Sequence, residues 1–327
     1  MLLNWAPFPF SRRVPSFSTK ICVPAGIIKR LLRRLSRAEL SKDFYISMSL
    51  ASGGFFSRAS PRPSVKAILE GVADAIQAAV HRFKGDLGEV VGRGATGANT
   101  QRIDLVAEQA AFAYLKDRGR PYTVVSEEAG RVEGEGDWTL VLDPVDGTHN
   151  AVRGFPAYAV SIAAVPRAPR GKVERLRDVT AGLVRDLVTG HTYFAGAGKG
   201  AFLNDRPIQV RKPFAPRDTV FDVYLGEKAH ADSLLVANAA RRVRNLGAAS
   251  LDLCLVAKGA TDLYYLHSTE VGHELRAMDV AAGILIVREA GGEVVGLDRR
   301  PLDMDMSPAA RANVIAYGDE QILEMLP

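Results

Sequence analysis

"TLVLDPVDGTHNAVRGFP", Thr139 to Pro156, is the stretch on which the reading of this chain turns. Residues of good strand character run straight into Asp143, Pro144, Val145, Asp146, Gly147 and Thr148. Pro144 restricts the backbone just after Asp143, so a turn here can present Asp143, the Val145 carbonyl and Asp146 to one side. Gly147 leaves room for an oxyanion to approach the chain. Thr148 adds a hydroxyl and a backbone N–H at a helix start, where anions bind favourably. An isolated D-P-x-D-G serves equally well as an ordinary turn, and its spacing is not that of an EF-hand loop.

The neighbouring segments tip that balance. Glu127 and Glu128 end the strand-like "YTVVSEE", just as Asp143 ends "WTLVLD". If the two strands lie side by side, Glu127 and Asp143 leave the same sheet edge, where open α/β sheets bind ligands. Clustered carboxylates repel one another unless a cation neutralises them, and hard oxygen donors suit Mg²⁺ or Mn²⁺.

Ser64 stands as an N-cap before Val65, Ile68, Val72, Ile76, Val80 and Phe83, the buried stripe of an amphipathic helix. A Gly-rich stretch follows, and Asn99 or Thr100 is placed to cap a second helix, "QRIDLVAEQAAFAYLKDRG". Beyond it, "AVSIAAV", "TAGLVRD", "HTYFAGAG", "VFDVYLG", "VVGL" and "NVIAYG" read as strands. "DSLLVANAARRV", "AASLDLCLVAKG" and "MDVAAGILIVREAGG" read as helices, with "ARRVRNLG" a solvated helix end. Two helices, a run of strands and then alternation predict a layered α/β or α+β fold with two sheets.

Composition bounds the rest. The chain has 327 residues, is 47% hydrophobic and contains only two cysteines, Cys22 and Cys254, which argues against a disulfide framework. The formal charge of +5 is unevenly placed. Met1 to Ser47 carries 9 basic and 2 acidic residues, a balance of +7, whereas the remaining 33 basic and 35 acidic residues balance at −2. The basic pI therefore argues nothing about nucleic acid binding by the folded part. Residues 1–62 are read as a basic extension outside the fold, the alternatives being a transit peptide, a membrane-surface helix or an upstream start with Met48 as the true one. The folded domain is expected over 63–327.

Six segments in order, "TGANTQRIDLVAE", "VSEEAG", "LDPVDGTHNAVRGFPAYAVSIA", "GKGAFLNDRPIQV", "VRNLGAASLDLCLVAKGATDLYY" and "MDVAAGILIVREAGG", give the chain its resemblance to the inositol monophosphatase family. It is most similar to the archaeal members that act on inositol phosphates and fructose 1,6-bisphosphate. The resemblance implies a layered α-β-α-β-α sandwich of the sugar-phosphatase type and a metal-dependent phosphomonoesterase that uses a metal-activated water. It further implies that Glu127, Asp143 and the Val145 carbonyl hold one Mg²⁺, and that Asp143, Asp146 and Asp279 hold a second, with a third ion loosely shared by Glu127. Asp104 and Thr148 match the pair that positions the water. Phosphate is expected against Gly147 and Thr148, and Gly247, Ala248 and Ala249 border the substrate beside Asp146. Arg244 is a candidate partner for a second phosphate.

Three departures touch substrate identity more than metal binding: Met278 where Trp is common, His149 as a wall residue, and "LHSTEVGHELRA", which aligns poorly. The other histidines, His81, His191, His230, His267 and His273, have no metal-ligand spacing and read as surface or packing residues. Alternatives are a phosphatase of 3′-phosphoadenosine 5′-phosphate or NADP, or a homologue that binds metal without turnover. Expected partners are a small phosphorylated sugar or polyol and a second copy of the chain, with no nucleic acid and no membrane for the folded part, in the cytoplasm.

Overall fold

A computed structural model describes residues 63–95, 97–119, 122–270 and 272–327. The readings made for residues 1–62, Cys22 among them, lie outside the described residues.

Helix α1 (Val65–Arg82) starts where Ser64 Oγ accepts the Ala67 N–H at 3.2 Å, and it buries Ile68, Leu69, Val72, Ala73, Ile76 and Val80. The Gly-rich stretch after it forms a hairpin, β1 (Val90–Arg93) and β2 (Asn99–Gln101), that leads into α2 (Arg102–Asp117). The helix cap is Gln101, not Asn99 or Thr100. The local reason is Asp104, whose Oδ2 accepts the Gln101 N–H at 3.0 Å and so places the first turn one residue later.

An eight-stranded sheet follows: β3 (Thr123–Ser126), β4 (Gly130–Val132), β5 (Trp138–Asp146), β6 (Ala159–Pro166), β7 (Ala181–Asp186), β8 (Thr192–Gly196), β9 (Ala201–Leu203) and β10 (Arg206–Ile208). Its order is β10-β9-β8-β7-β6-β5-β3-β4, and β3 and β5 run parallel. Short α3 (Thr148–Arg153) joins β5 to β6. Strand alternation divides the core. Leu140 and Leu142 on β5, and Val160, Ile162 and Ala164 on β6, pack against α1 and α2. Val141, Ala159, Ala163 and Val165 face the opposite way, against α5 (Ala249–Ala257) and α6 (Ala277–Glu289). Both faces are covered, so these strands read as continuous apolar runs. Gly182 on β7 lets α6 lie close, because a Cβ there would meet the Ala282 carbonyl oxygen at 2.9 Å.

A second sheet packs on the far side of α5 and α6. Its order is β12-β11-β13-β17-β15, built from β11 (Val220–Val223), β12 (Arg242–Arg244), β13 (Leu263–Leu266), β15 (Glu293–Val295) and β17 (Val314–Tyr317). Tyr264, Leu266, Val314 and Ala316 face α5 and α6; Leu263, Tyr265, Ile315 and Tyr317 face α4 (Ala231–Ala239) and the last turn, where Ile322 is buried. The layers are therefore α-β-α-β-α. A two-stranded ribbon, β14 (Leu275–Arg276) and β16 (Arg311–Ala312), leads into α6.

The stretch "ARRVRNLG" is not a helix end. The chain leaves α4 at Ala240 in extended conformation, and Arg242 to Arg244 pair with Val220 to Asp222 as a parallel edge strand. Backbone pairing with β11, and packing of Val243 against the outer core, win over the local helical pattern. Cys254 is a buried free thiol, and among the described residues no helix is long and apolar enough to cross a membrane.

Candidate active site

The parallel register of β3 and β5 pairs Ser126 with Leu142, so Glu127 and Asp143 emerge side by side from one edge. Asp143 to Asp146 form a bulge within the β5–β6 ladder. Asp143 opposes Ser161 and Asp146 opposes Ala159, so three steps on β5 face two on β6. Pro144 is tolerated there because a bulge needs no ladder N–H from it. Asp143 Oδ1 accepts the Val145 N–H at 3.0 Å, which holds the bulge shut.

Four helix N-termini point at this edge. Asp104 is the third residue of α2, Thr148 the first of α3, Ser250 the second of α5 and Asp279 the third of α6. Asp104 accepts the Thr148 hydroxyl at 2.9 Å, and the Val145 carbonyl lies equally close to that hydroxyl. Asp146 Oδ2 accepts both the Ser250 N–H, at 2.7 Å, and the Ser250 hydroxyl. Asp279 Oδ2 accepts the Arg276 N–H at 2.8 Å. Carboxylate oxygens of Glu127, Asp143 and Asp279 lie within 4.8 Å of one another. Helix N-termini favour such negative charge but do not neutralise it.

Burial and crowding leave a clear electrostatic signature. Asp143 is 3% exposed; burial, and then Asp146, Asp279 and Asp104, push its pKa well above the usual carboxylate range. Asp146 rises to about 7, chiefly through burial and then Asp279, against the opposing bonds from Ser250. Asp104 and Asp279 are also raised by burial, held back by Gln101 and Thr148 for the first and by Arg276 for the second. These acids resist ionising together unless cations join them. The donor set is all oxygen and convergent, with the Arg276 guanidinium set against Glu127, so it fits hard divalent ions.

Gly247, Ala248 and Ala249 close a second wall. A Cβ on Gly147, whose φ is +82°, would meet the Ala157 carbonyl oxygen at 2.9 Å and Ala248 Cβ at 3.1 Å, so the two loops touch. Asn150 locks them by donating to the carbonyls of Ala157, at 2.8 Å, and Leu246, at 2.7 Å. Arg244 is exposed at the end of β12 and donates to the Val243 carbonyl at 2.8 Å. His149 is exposed on α3, and Met278 is wholly buried, its carbonyl accepting the Ser161 hydroxyl at 3.1 Å.

Sequence reasoning missed four residues here. Arg276 sets its guanidinium on Glu127, and Arg311 pairs with it across the ribbon. Ser250 and Asn150 complete the set. Only Asn150, in the quoted stretch, carried a local signal; Ser250 and Arg276 reach the cleft through contacts more than 100 residues away in sequence, and Arg311 through its pairing with Arg276.

The chain matches the model of the inositol monophosphatase family over residues 62–325. It is 35% identical over 268 residues to a fructose-1,6-bisphosphatase/inositol-1-monophosphatase of Methanothermobacter thermautotrophicus, covering 80% of this chain and 94% of that one. It is 33% identical to a bifunctional NADP phosphatase/NAD kinase of Methanococcus maripaludis, over 71% of this chain and 43% of that protein. A crystal structure of an inositol monophosphatase-fructose 1,6 bisphosphatase superimposes with a TM-score of 0.70 at 29% identity, covering 80% of this chain and 98% of the other.

Proposed function

Because this chain belongs to the inositol monophosphatase family, we propose that its carboxylate cleft hydrolyses inositol-1-phosphate and/or fructose 1,6-bisphosphate. The chain is a phosphoric monoester hydrolase of that family. The observation that carries the phosphomonoesterase reading is the convergence of Asp104, Glu127, Asp143, Asp146, Thr148 and Asp279, from four separate segments, on one sheet edge.

Glu127, Asp143, the Val145 carbonyl, Asp146 and Asp279 would hold two or three Mg²⁺ or Mn²⁺ ions. Bound there, such ions neutralise the acids and acidify a water for attack on phosphorus. Thr148 gives its hydroxyl proton to Asp104, which leaves the Thr148 oxygen lone pairs to hold the water O–H. Asp104, raised by burial, is suited to take up the proton that this water releases. The first N–H groups of α3 have no intrahelical acceptor, so Gly147 and Thr148 offer phosphate oxygens a backbone cradle. Gly247, Ala248 and Ala249 confine the alcohol that leaves, and Arg244 is the residue we assign to a second phosphate. A homodimer acting in the cytoplasm completes the proposal.

Phosphate release from inositol-1-phosphate, fructose 1,6-bisphosphate, NADP and 3′-phosphoadenosine 5′-phosphate, each over a Mg²⁺ series, tests the reading. Turnover on either of the first two, abolished by chelation, is the expected result. The NADP arm addresses a second reading, favoured by the Methanococcus relative. Folded protein that releases no phosphate from any of them at saturating Mg²⁺ sinks the proposal.

A further inference from the structure

Asp146 serves α5 as well as the cleft. Ala248, the residue before that helix, supplies no side-chain cap, so the first N–H groups of α5 have no partner from their own segment. Asp146, 104 residues earlier at the end of β5, fills the place: its Oδ2 accepts the Ser250 N–H at 2.7 Å and the Ser250 hydroxyl as well. Ser250 is wholly buried and Asp146 is 9% exposed, so these bonds form away from bulk water. Among the described residues the Ser250 hydroxyl has no other hydrogen-bond partner.

The count of lone pairs gives this contact its meaning. An ionised carboxylate only accepts, and each of its oxygens has room for about two donors. The N–H and the hydroxyl of Ser250 therefore fill Oδ2 and leave Asp146 a single oxygen, Oδ1, to offer an ion. Its neighbours are less constrained. Asp143 Oδ1 carries one N–H, from Val145, and Asp279 Oδ2 carries one, from Arg276, so each tied oxygen retains a lone pair. Hard divalent ions differ in what they ask of such ligands. Mg²⁺ demands near-ideal octahedral geometry with short bonds, which single oxygens meet, whereas Ca²⁺ takes more oxygens at longer distances and readily grips a carboxylate by both.

Resting on the metal reading of this cleft, we propose that Ser250 is a residue that determines ion specificity: by filling Oδ2 of Asp146 it holds that ligand to one oxygen and favours Mg²⁺ over Ca²⁺. The hydroxyl acts through Asp146, which makes Ser250 a positioning residue and not a ligand. Its backbone N–H anchors Asp146 whatever the side chain, so the hydroxyl alone decides whether Oδ2 keeps a lone pair for an ion. The contact between Gly147 and Ala248 keeps the start of α5 against the bulge, so the tether is short and fixed at both ends.

Metal-free full-length protein is titrated by calorimetry with Mg²⁺ and, separately, with Ca²⁺, for the parent, Ser250→Ala and Asp146→Ala. The binding step that Asp146→Ala removes is the one compared. Ser250→Ala keeps the backbone N–H and opens one lone pair on Oδ2, so Mg²⁺ at that step should weaken by about tenfold while Ca²⁺ holds or tightens. The ratio of the two dissociation constants should move towards Ca²⁺ by about the same factor. That ratio decides the matter, because a merely loosened α5 would weaken both ions alike. Circular dichroism of metal-free Ser250→Ala should match the parent. An equal loss for both ions, or no change for either, overturns the inference and leaves the metal reading of the cleft standing. If Asp146→Ala removes no binding step from the parent, both fall together.

Discussion

Asp143 is the residue on which most depends, because it alone borders Glu127, Asp146, Asp279 and Asp104 together. Asp143→Asn removes one charge from a crowded, buried set while keeping shape. Turnover should fall by about a thousandfold or more, since it removes a shared ligand, and the metal-free fold should melt no lower than the parent. Phosphate release and thermal denaturation of the one preparation report both outcomes; near-normal turnover at saturating Mg²⁺ would contradict the site. Thr148→Val, which keeps volume and deletes the hydroxyl, should lower kcat by about 10²–10⁴ with little change in stability. Gly147→Ala tests geometry instead of chemistry. The positive φ and the contacts with the Ala157 carbonyl and Ala248 make a methyl group costly, by roughly 1–3 kcal/mol in a denaturation experiment. Each of these residues sits in the quoted stretch, and each was legible as a candidate because Asp-Pro and Asp-Gly are strong local signals. That they act together was not legible there, since Asp104 and Asp279 come from helices, 39 residues before Asp143 and 136 residues after it.

At the scale of elements, the buried pair between β11 and α5 sets how rigidly the substrate wall is held. Asp222 on β11 and Asp252 on α5 are both essentially inaccessible, and Asp252 accepts the Leu246 N–H at 3.3 Å, just before Gly247. The Asp222 carboxyl lies against the Asp252 carboxyl and the Asn245 amide, and one proton held between the two buried carboxyls removes their mutual repulsion. Burial raises Asp222 to about 6, and burial with Asp222 nearby raises Asp252. The folded state thus holds a proton that the unfolded chain releases near 3.8. Its contribution is full below about pH 4 and is lost as pH climbs towards 6. Asp252→Asn supplies a permanent N–H donor to Asp222, so it should abolish that loss. Relative to the parent it should be unchanged near pH 4 and more stable near pH 8, on the order of 1–3 kcal/mol. Denaturant curves at the two pH values decide it, and a parent whose stability does not fall between them would refute the shared proton. No sequence pattern announced this pair, because "TVFDVYLG" and "SLDLCLVA" look like ordinary elements until the sheet places them face to face.

At the scale of the molecule, α5 and α6 are shared between two sheets, so cleft and core are mechanically one body. Charge neutralisation in the cleft should therefore be read out by the whole fold. Saturating Mg²⁺ at 100 times its Kd should stabilise the parent by about 2.7 kcal/mol and Asp143→Asn by much less. Without metal, stability should decline as pH rises towards 7, where the raised Asp146 ionises, and Mg²⁺ should flatten that decline. A melting temperature insensitive to divalent ions would count against the cleft as their site. Periodicity, caps and the Asp-Pro-Val-Asp-Gly run are local properties, so the sequence alone determined the helices, most strands, the layered α/β class and which acids stand as candidates. Pairing is not local. The chain order never stated that β3 and β5 are parallel neighbours, that "RVR" is an edge strand, that Arg276 reaches Glu127, or that His230 meets His267. Those relations exist only once two sheets have closed on α5 and α6, because the contacts that define them are formed by residues brought together by burial.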